Sequence, residues 1–459
     1  MIEWFDKAEP GRTAFVESDT GRHLSYGETN ELIEVAAASL RETEVTLVFI
    51  CAANSVSTLV HYLACLRAGV PACLLEQNAS LQRLLEVYEP SHVVADDTFE
   101  SPDYKQAVPA GVFHRTTPSS AKPHPDLALL LTTSGSTGNP KLVRLSRHNL
   151  QSNAESIASY LQLTEEDRSI QSLPVYYSYG LSLINSHLSV SASTVLTSHS
   201  FMQKEFWADV DTHKCTGFAG VPSMYEFLHR LRMGPYLSPS IRYASQAGGK
   251  LRDELIGHFH QCAADAGQQF FVMYGQTEAT ARIAYVPPDH LPEAIGTLGK
   301  AIPGGQLNCV PVDGMASDIF ELIYEGPNVM MGYAESLEDL SRGDELEGRL
   351  STGDLVQKGE DDSLRIIGRL KRFAKVYGIR LNLADVERWI GDKFQLRCAA
   401  CETAAGVRVY LEREVETGEL RRDLAQWTGL PPASFAVKVL ESLPQTGSGK
   451  IDYHSLRSI

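Results

Sequence analysis

Along the first two thirds of the chain, short apolar runs rich in β-branched residues alternate with longer stretches whose apolar positions recur at helical spacing. Residues 45–51 read as a strand. Asn54 is placed to cap a helix in which Leu59, Tyr62, Leu63 and Leu66 recur at helical spacing and Gly69 marks the end. Residues 70–75 resume as a strand, 80–87 as a helix and 91–95 as a strand. Further strands are expected at 127–132, 194–197, 216–219, 241–244 and 269–273, with helices at 149–161, 224–231 and 251–264 between several of them. This alternation builds parallel sheets with crossover helices on both faces, so the expected class is α/β with doubly wound sheets.

After Gly296 the rhythm changes. Short strands at 307–310, 318–324 and 364–366, broken by Gly and Pro, indicate a small antiparallel barrel or sheet. From Lys371 a compact α+β module follows: a strand at 374–377, a helix opened by Asn382, strands at 397–402 and 407–412, a helix from Glu416 and a strand at 436–440. The expected division is a large domain over 1–370 and a small one over 371–459.

Composition narrows the partners. A hydrophobic content of 43% with 21% charged residues suits a packed globular enzyme and is too apolar for disorder. The net charge of −16 disfavours a protein that coats nucleic acid or an anionic membrane. It leaves open a small nucleotide held by a local nest of N–H groups and lysines. No apolar run reaches the length of a membrane span, and the opening Met1-Ile-Glu-Trp-Phe-Asp is not a signal peptide. The eight cysteines show no disulfide framework, so a reduced cytoplasm is the expected location. Cys398 and Cys401 form a lone C-x-x-C inside a strand pattern and read as two small buried hydrophobes. On a helix, His258 and His260 point about 200° apart and only His258 and Cys262 share a face, which argues against a metal there.

The strongest chemical signal is Thr132-Thr133-Ser134-Gly135-Ser136-Thr137-Gly138-Asn139-Pro140-Lys141 at the end of the 127–132 strand. Its glycines permit a tight turn, its hydroxyls offer donors and Lys141 supplies charge, a combination suited to an oligophosphate. The Walker A spacing is absent here and at 446–451, and no G-x-G-x-x-G follows a strand. Taken alone, a polar surface loop is as good a reading.

Further stretches join it in a fixed order: Tyr274-Gly275-Gln276-Thr277-Glu278, Thr352-Gly353-Asp354-Leu355, the spacing G-R-x-x-x-x-x-K-x-x-G from Gly368 to Gly378, and the L-P-x-T-x-x-G-K pattern ending at Lys450. Weaker agreements lie at 326–333 and 218–222. With these motifs the chain resembles the acyl-adenylate-forming (AMP-binding) superfamily of acyl-CoA synthetases, peptide-synthetase adenylation domains and luciferase-like ligases. The matches span about residues 45 to 452.

The resemblance implies ATP-dependent activation of a small carboxylic acid, release of pyrophosphate and transfer of the acyl group to a thiol, either coenzyme A or the phosphopantetheine of an acyl carrier protein. It implies that Thr133, Ser134, Gly135, Ser136, Thr137, Gly138 and Lys141 clasp the phosphates of ATP. Tyr274, Gly275 and Thr277, with Gly248 and Gly249, are expected around the nucleotide, Tyr274 and the two glycines lining the adenine slot. Glu278 is expected to help hold Mg²⁺, a hard cation that takes carboxylate and phosphate oxygens. Asp354 is expected to accept from the ribose hydroxyls, its plainer reading being a structural Asp in a Gly-Asp turn. Arg369 is expected at the ribose or phosphate, its plainer reading being a surface ion pair. Lys450 is the family's mobile lysine, set to bridge the carboxylate and the α-phosphate as charge builds. Lys371 takes the hinge position and Gly378 the thiol tunnel. The 371–459 module is then a mobile lid.

Two departures bear on the acid. Where many acyl-CoA synthetases carry a His, this chain has Tyr177, which either gates the acyl pocket or packs in the core. Amino-acid-activating members place an Asp close by, whereas Ser178 and Tyr179 carry no charge, which disfavours an α-amino acid. The acyl pocket is expected around Tyr177, Ser178 and Gly220. An amide-forming or luciferase-like ligase, or a catalytically silent homologue, remains an alternative.

Overall fold

The computed structural model describes residues 4, 7–42, 45–76, 81–96, 98–106, 111–132, 141–232, 238–313, 315–370, 372–377, 379–403, 406–446 and 450–459, with the side chains of residues 373, 375, 379, 380, 454, 457 and 458 not included. Two large sheets form the body. In one of nine strands, Ser193–Leu196, Arg168–Ile170, Gly217–Gly220, Tyr243–Gln246 and Gln269–Tyr274 run parallel, with antiparallel Ala284–Val286 and Lys300–Ala301 at one edge. The other has eight strands, with Leu127–Thr132, Ala72–Leu75, Val48–Cys51 and His92–Val94 parallel at its centre. The central strands of the eight-stranded sheet read as nearly unbroken apolar runs because both of its faces are buried. The barrel or sheet expected after Gly296 takes the form of a four-stranded antiparallel sheet of Gln306–Pro311, Ile319–Glu325, Arg349–Lys358 and Leu364–Arg369.

The expected strands and helices are present, most of them shifted by one to three residues at their ends. One local expectation fails. Ser55, not Asn54, caps the helix Val56–Ala68, its side chain accepting from the Thr58 N–H. Asn54 is drawn off by tertiary contacts: its side chain donates to the Leu173 carbonyl at 3.2 Å and accepts from the Val175 N–H at 3.1 Å. Those bonds fix the turn that precedes the helix Ser178–Leu188.

The buried clusters separate along the chain. Those of the body end at Leu364, and the next begin at Ala374 with the hairpin Phe373–Val376 and Ile379–Asn382, the three-stranded sheet of Cys398–Thr403, Gly406–Leu411 and Phe435–Val439, and the helices Leu383–Phe394 and Thr417–Thr428. Asn382 caps the first helix as expected, and the second, expected from Glu416, begins at Thr417 with Glu416 as its cap. Cys398 and Cys401 are buried in two different clusters of this part, on opposite faces of one strand.

Candidate active site

The site lies beyond the C-terminal ends of Tyr243–Gln246 and Gln269–Tyr274, where open parallel sheets present ligand crevices. Strand Gln269–Tyr274 ends on Tyr274, and Gly275 turns the chain hard against Ala281. A Cβ on Gly275 would stand 1.9 Å from the Ala281 carbonyl oxygen, so only glycine fits. Thr277 and Glu278 then open a short 3₁₀ turn, Thr277–Ala279. The Thr277 hydroxyl meets that of Ser178 at 3.1 Å, which joins the turn to the helix Ser178–Leu188.

Asp354 comes from the middle of Arg349–Lys358 rather than from a turn, and the sheet register sets it directly opposite Arg369. Its carboxylate is almost fully buried, accepts from the Tyr274 phenol and pairs with Arg369 Nε at 2.7 Å. Gln276 donates to the Tyr274 oxygen at 3.3 Å. The Asp354 charge raises the Arg369 guanidinium above its ordinary value, and burial, with the same carboxylate, raises the Tyr274 phenol well above its own. Arg369 keeps 60% of its side chain exposed, so it faces the crevice while paired at its root.

Glu278 accepts from the Tyr333 phenol at 2.8 Å through one oxygen; among the described residues its other oxygen accepts no hydrogen bond. Lys141 lies across the same Tyr333, its ammonium 3.5 Å from the ring centre and 3.3 Å from Glu335. Tyr333 therefore touches both the lysine at the end of the hydroxyl-rich loop and the acidic residue of the Y-G-Q-T-E stretch. The rest of that loop, Thr133, Ser134, Gly135, Ser136, Thr137 and Gly138, lies outside the described residues, as do Lys371 and Gly378.

Lys450 reaches this site from the C-terminal part. Its carbonyl accepts from the Thr446 N–H at 2.8 Å, next to the Gln445–Ile451 bridge. Its ammonium stands 5.4 Å from the ring centre of Tyr177. Burial and the charge of Arg369 lower its pKa from the ordinary lysine value, while Glu278 and Asp354 act the other way. Tyr177 is half-buried; burial pushes its phenol up to about 12, and its hydroxyl borders Gly248. Gly248 has φ +86°, and a Cβ there would stand 2.6 Å from that hydroxyl, so glycine is required on both conformational and steric grounds. Gly249 is tied by its carbonyl to the Gln246 amide at 2.9 Å. Gly220 ends its strand against the Tyr225 ring, and Ser178 is buried.

The arrangement joins Lys450, Arg369, Asp354, Tyr274, Glu278, Tyr177 and Gly248 around one crevice. Two cations beside a free carboxylate oxygen, next to a glycine cradle, fit a nucleotide with its divalent cation. Sequence reasoning did not assign Gln276 or the Tyr333 bridge. Nothing local in the sequence around Tyr333 signals such a contact, although Gly332-Tyr333 stood in one of the weaker motif agreements.

The sequence model of the family described as AMP-binding enzyme matches residues 2–334. The chain is similar to an oxalate–CoA ligase of Arabidopsis thaliana, with 26% identity over 84% of this chain and 82% of the relative. It is similar at 26% to a 2-succinylbenzoate–CoA ligase of Bacillus subtilis, over 98% and 95%. The structure of o-succinylbenzoate CoA synthetase from Bacillus subtilis with ATP and magnesium ion superposes with a TM-score of 0.77, at 23% identity and 99% coverage of both chains.

Proposed function

The chain belongs to the AMP-binding enzyme family, and from that premise we propose that it activates a small carboxylic acid with ATP, forming an acyl-adenylate and pyrophosphate, and passes the acyl group to the thiol of coenzyme A. The observation that carries the reading is the docking of Lys450 from the C-terminal part over Tyr177, within electrostatic reach of Arg369, Glu278 and Asp354. An ammonium at that point faces the place where carboxylate and phosphate oxygens meet during adenylation. The reaction asks the protein for positioning and charge neutralisation more than for covalent chemistry.

Residues take the following parts in this reading. Lys450 holds the attacking carboxylate against the α-phosphate. Asp354, oriented by Tyr274 and Arg369, receives the ribose hydroxyls; Gly248, Gly249, Gly275 and Thr277 shape the nucleotide crevice. Thr133, Ser134, Gly135, Ser136, Thr137, Gly138 and Lys141 take the outer phosphates, Lys141 leaving Tyr333 and Glu335 to do so. Glu278, steadied by Tyr333, would hold Mg²⁺, which supplies charge neutralisation on the phosphates when bound. Tyr177, Ser178 and Gly220 border the acid. The domain boundary falls near 370, with Lys371 at the hinge and Gly378 on the path of the thiol, so that withdrawal of the small domain clears Lys450 for the second half-reaction. A carrier-protein phosphopantetheine is the other thiol to test.

The test is pyrophosphate release over a panel of carboxylic acids, with Lys450→Ala as control, followed by thioester formation with free coenzyme A against a phosphopantetheinylated carrier protein. Absence of release with every acid, or full adenylation by Lys450→Ala, overturns the reading.

A further inference from the structure

Two arginines are among the largest fully buried side chains of the described chain, Arg144 and Arg282, and their surroundings differ. Arg144 is satisfied on every side. It pairs with Glu345 and donates to the carbonyls of Tyr333 at 3.1 Å, Gly343 at 3.2 Å and Met331 at 3.3 Å. Arg282, 1% exposed, has no such set. Among the described residues it forms no ion pair, and its Nε has no hydrogen-bond partner. Its polar neighbours are the Ala281 carbonyl, at 3.4 Å, and the Tyr160 phenol. Its charge otherwise rests on the ring of Tyr179, 4.0 Å from guanidinium carbon to ring centre.

Its position ties it to the acyl side of the crevice. Arg282 follows the turn that carries Thr277 and Glu278, and its own carbonyl is gripped by the Asn328 amide at 2.8 Å, so the backbone there is fixed. Tyr179 meets Tyr177 edge to face at 6.2 Å, and Tyr177 lies under Lys450. From the Lys450 ammonium inward, the order is therefore Tyr177, Tyr179, guanidinium. Ser178 and Ser182, on the helix that carries Tyr179, line a small cavity of mixed polar and apolar walls with Leu131, Leu150, Asn153 and Thr280, and the Asn153 amide nitrogen is a buried donor with no hydrogen-bond partner among the described residues.

We propose that Arg282 is the inner anion-binding residue of the acyl site, and that the acid activated here carries a second anionic group, a carboxylate or sulfonate, at the end remote from the reacting carboxylate. The inference rests on the ligase reading above and specifies its substrate class. A guanidinium taken out of water without a counter-charge is strongly unfavourable, and an incoming anion relieves that penalty. The planar fork of an arginine suits a carboxylate or sulfonate in two-point contact. A hydrocarbon tail in the same place leaves the guanidinium desolvated and without a counter-charge, so the site discriminates against it. The tail of the favoured acid runs past the ring of Tyr177, with its reacting end at Lys450 and its far end at Arg282.

The test compares pyrophosphate release with succinate, glutarate and 3-sulfopropionate against the monomethyl esters of the two diacids and against butyrate. The expected result is a kcat/KM for at least one dianionic acid at least about tenfold above its monoanionic counterpart. Arg282→Gln should bring that ratio to about one, and Arg282→Lys should leave a ratio between the two. Sulfonate and carboxylate arms tell which anion is preferred. Adenylation of the monoanionic acids alone, or a ratio that survives Arg282→Gln, overturns this inference and leaves the ligase reading standing. Because the wild-type comparison needs no variant, a poorly folding Arg282→Gln protein does not remove the test. Absence of release with every acid, here and in the broader panel, overturns both.

Discussion

Lys450, at the end of the small C-terminal part, stands 5.4 Å above the ring of Tyr177, at the start of a helix in the body. Tyr177 packs against the core of the body, whereas Ile451, the neighbour of Lys450, packs against a cluster of the C-terminal part, so the contact is made by docking one part against the other rather than by a shared core. It places an ammonium in a crevice already lined by Asp354, Arg369 and Glu278, the arrangement suited to the first half-reaction.

Removing that ammonium should separate the two half-reactions. Lys450→Ala is expected to slow pyrophosphate release by about 10²–10³-fold, the usual loss when one transition-state donor is removed. Thioester formation from a supplied acyl-adenylate should persist. Equal slowing of both steps removes Lys450 from its assigned role.

The alkaline limb of the pH profile reports the same residue. The protonated ammonium is the competent form, so kcat/KM for adenylation holds below the free-enzyme pKa of Lys450 and falls as pH rises through it. Burial and Arg369 lower that pKa, so the fall begins at a lower pH than the ~10.4 of an ordinary lysine would give. Arg369→Gln removes a depressing charge and should move the limb to higher pH, whatever it does to the rate. A limb that stays in place contradicts the assignment.

Gly248→Ala should be costly twice over, through the positive φ and through the 2.6 Å approach to the Tyr177 hydroxyl. A loss of about 1–3 kcal/mol is expected from the backbone alone. Thermal denaturation should show part of the loss recovered in the double variant Gly248→Ala with Tyr177→Phe, because only the steric share is relieved. No recovery places the clash elsewhere.

Tyr333→Phe keeps a ring under Lys141 and removes the phenol that steadies Glu278. The half-saturating Mg²⁺ concentration for adenylation should rise by about tenfold, in line with the loss of an outer-shell orienting bond. Tyr333→Leu removes both contacts and should in addition raise KM for ATP. Unchanged magnesium dependence in the phenylalanine variant separates Tyr333 from the cation.

Much of the fold was legible because the local pattern and the final environment agree. The run 127–132 is the strand Leu127–Thr132, and Asn382 caps its helix because its carbonyl oxygen stays on the Ala384 N–H while only its amide nitrogen is taken by the Ile367 carbonyl. Asn54 was misread for the opposite reason. Its side chain is claimed by Leu173 and Val175, which no local rule counts, and the cap passed to Ser55. The strand Arg349–Lys358 was not recognised because Gly353 within it reads as a turn.

By itself the sequence determined the alternation of strands and helices, the charge that disfavours polyanions, and an ordered set of motifs naming Tyr274, Glu278, Asp354, Arg369 and Lys450. Such features are carried by neighbours in the chain, where spacing alone expresses the chemistry. Only the tertiary structure decided that Arg369 stands opposite Asp354, that Tyr333 joins Lys141 to Glu278, and that Arg144 is satisfied while Arg282 is not. Burial and the pairing of charge depend on which distant segments meet, and a lone arginine before an apolar strand reads the same whether a carboxylate waits beside it or a ligand must bring one.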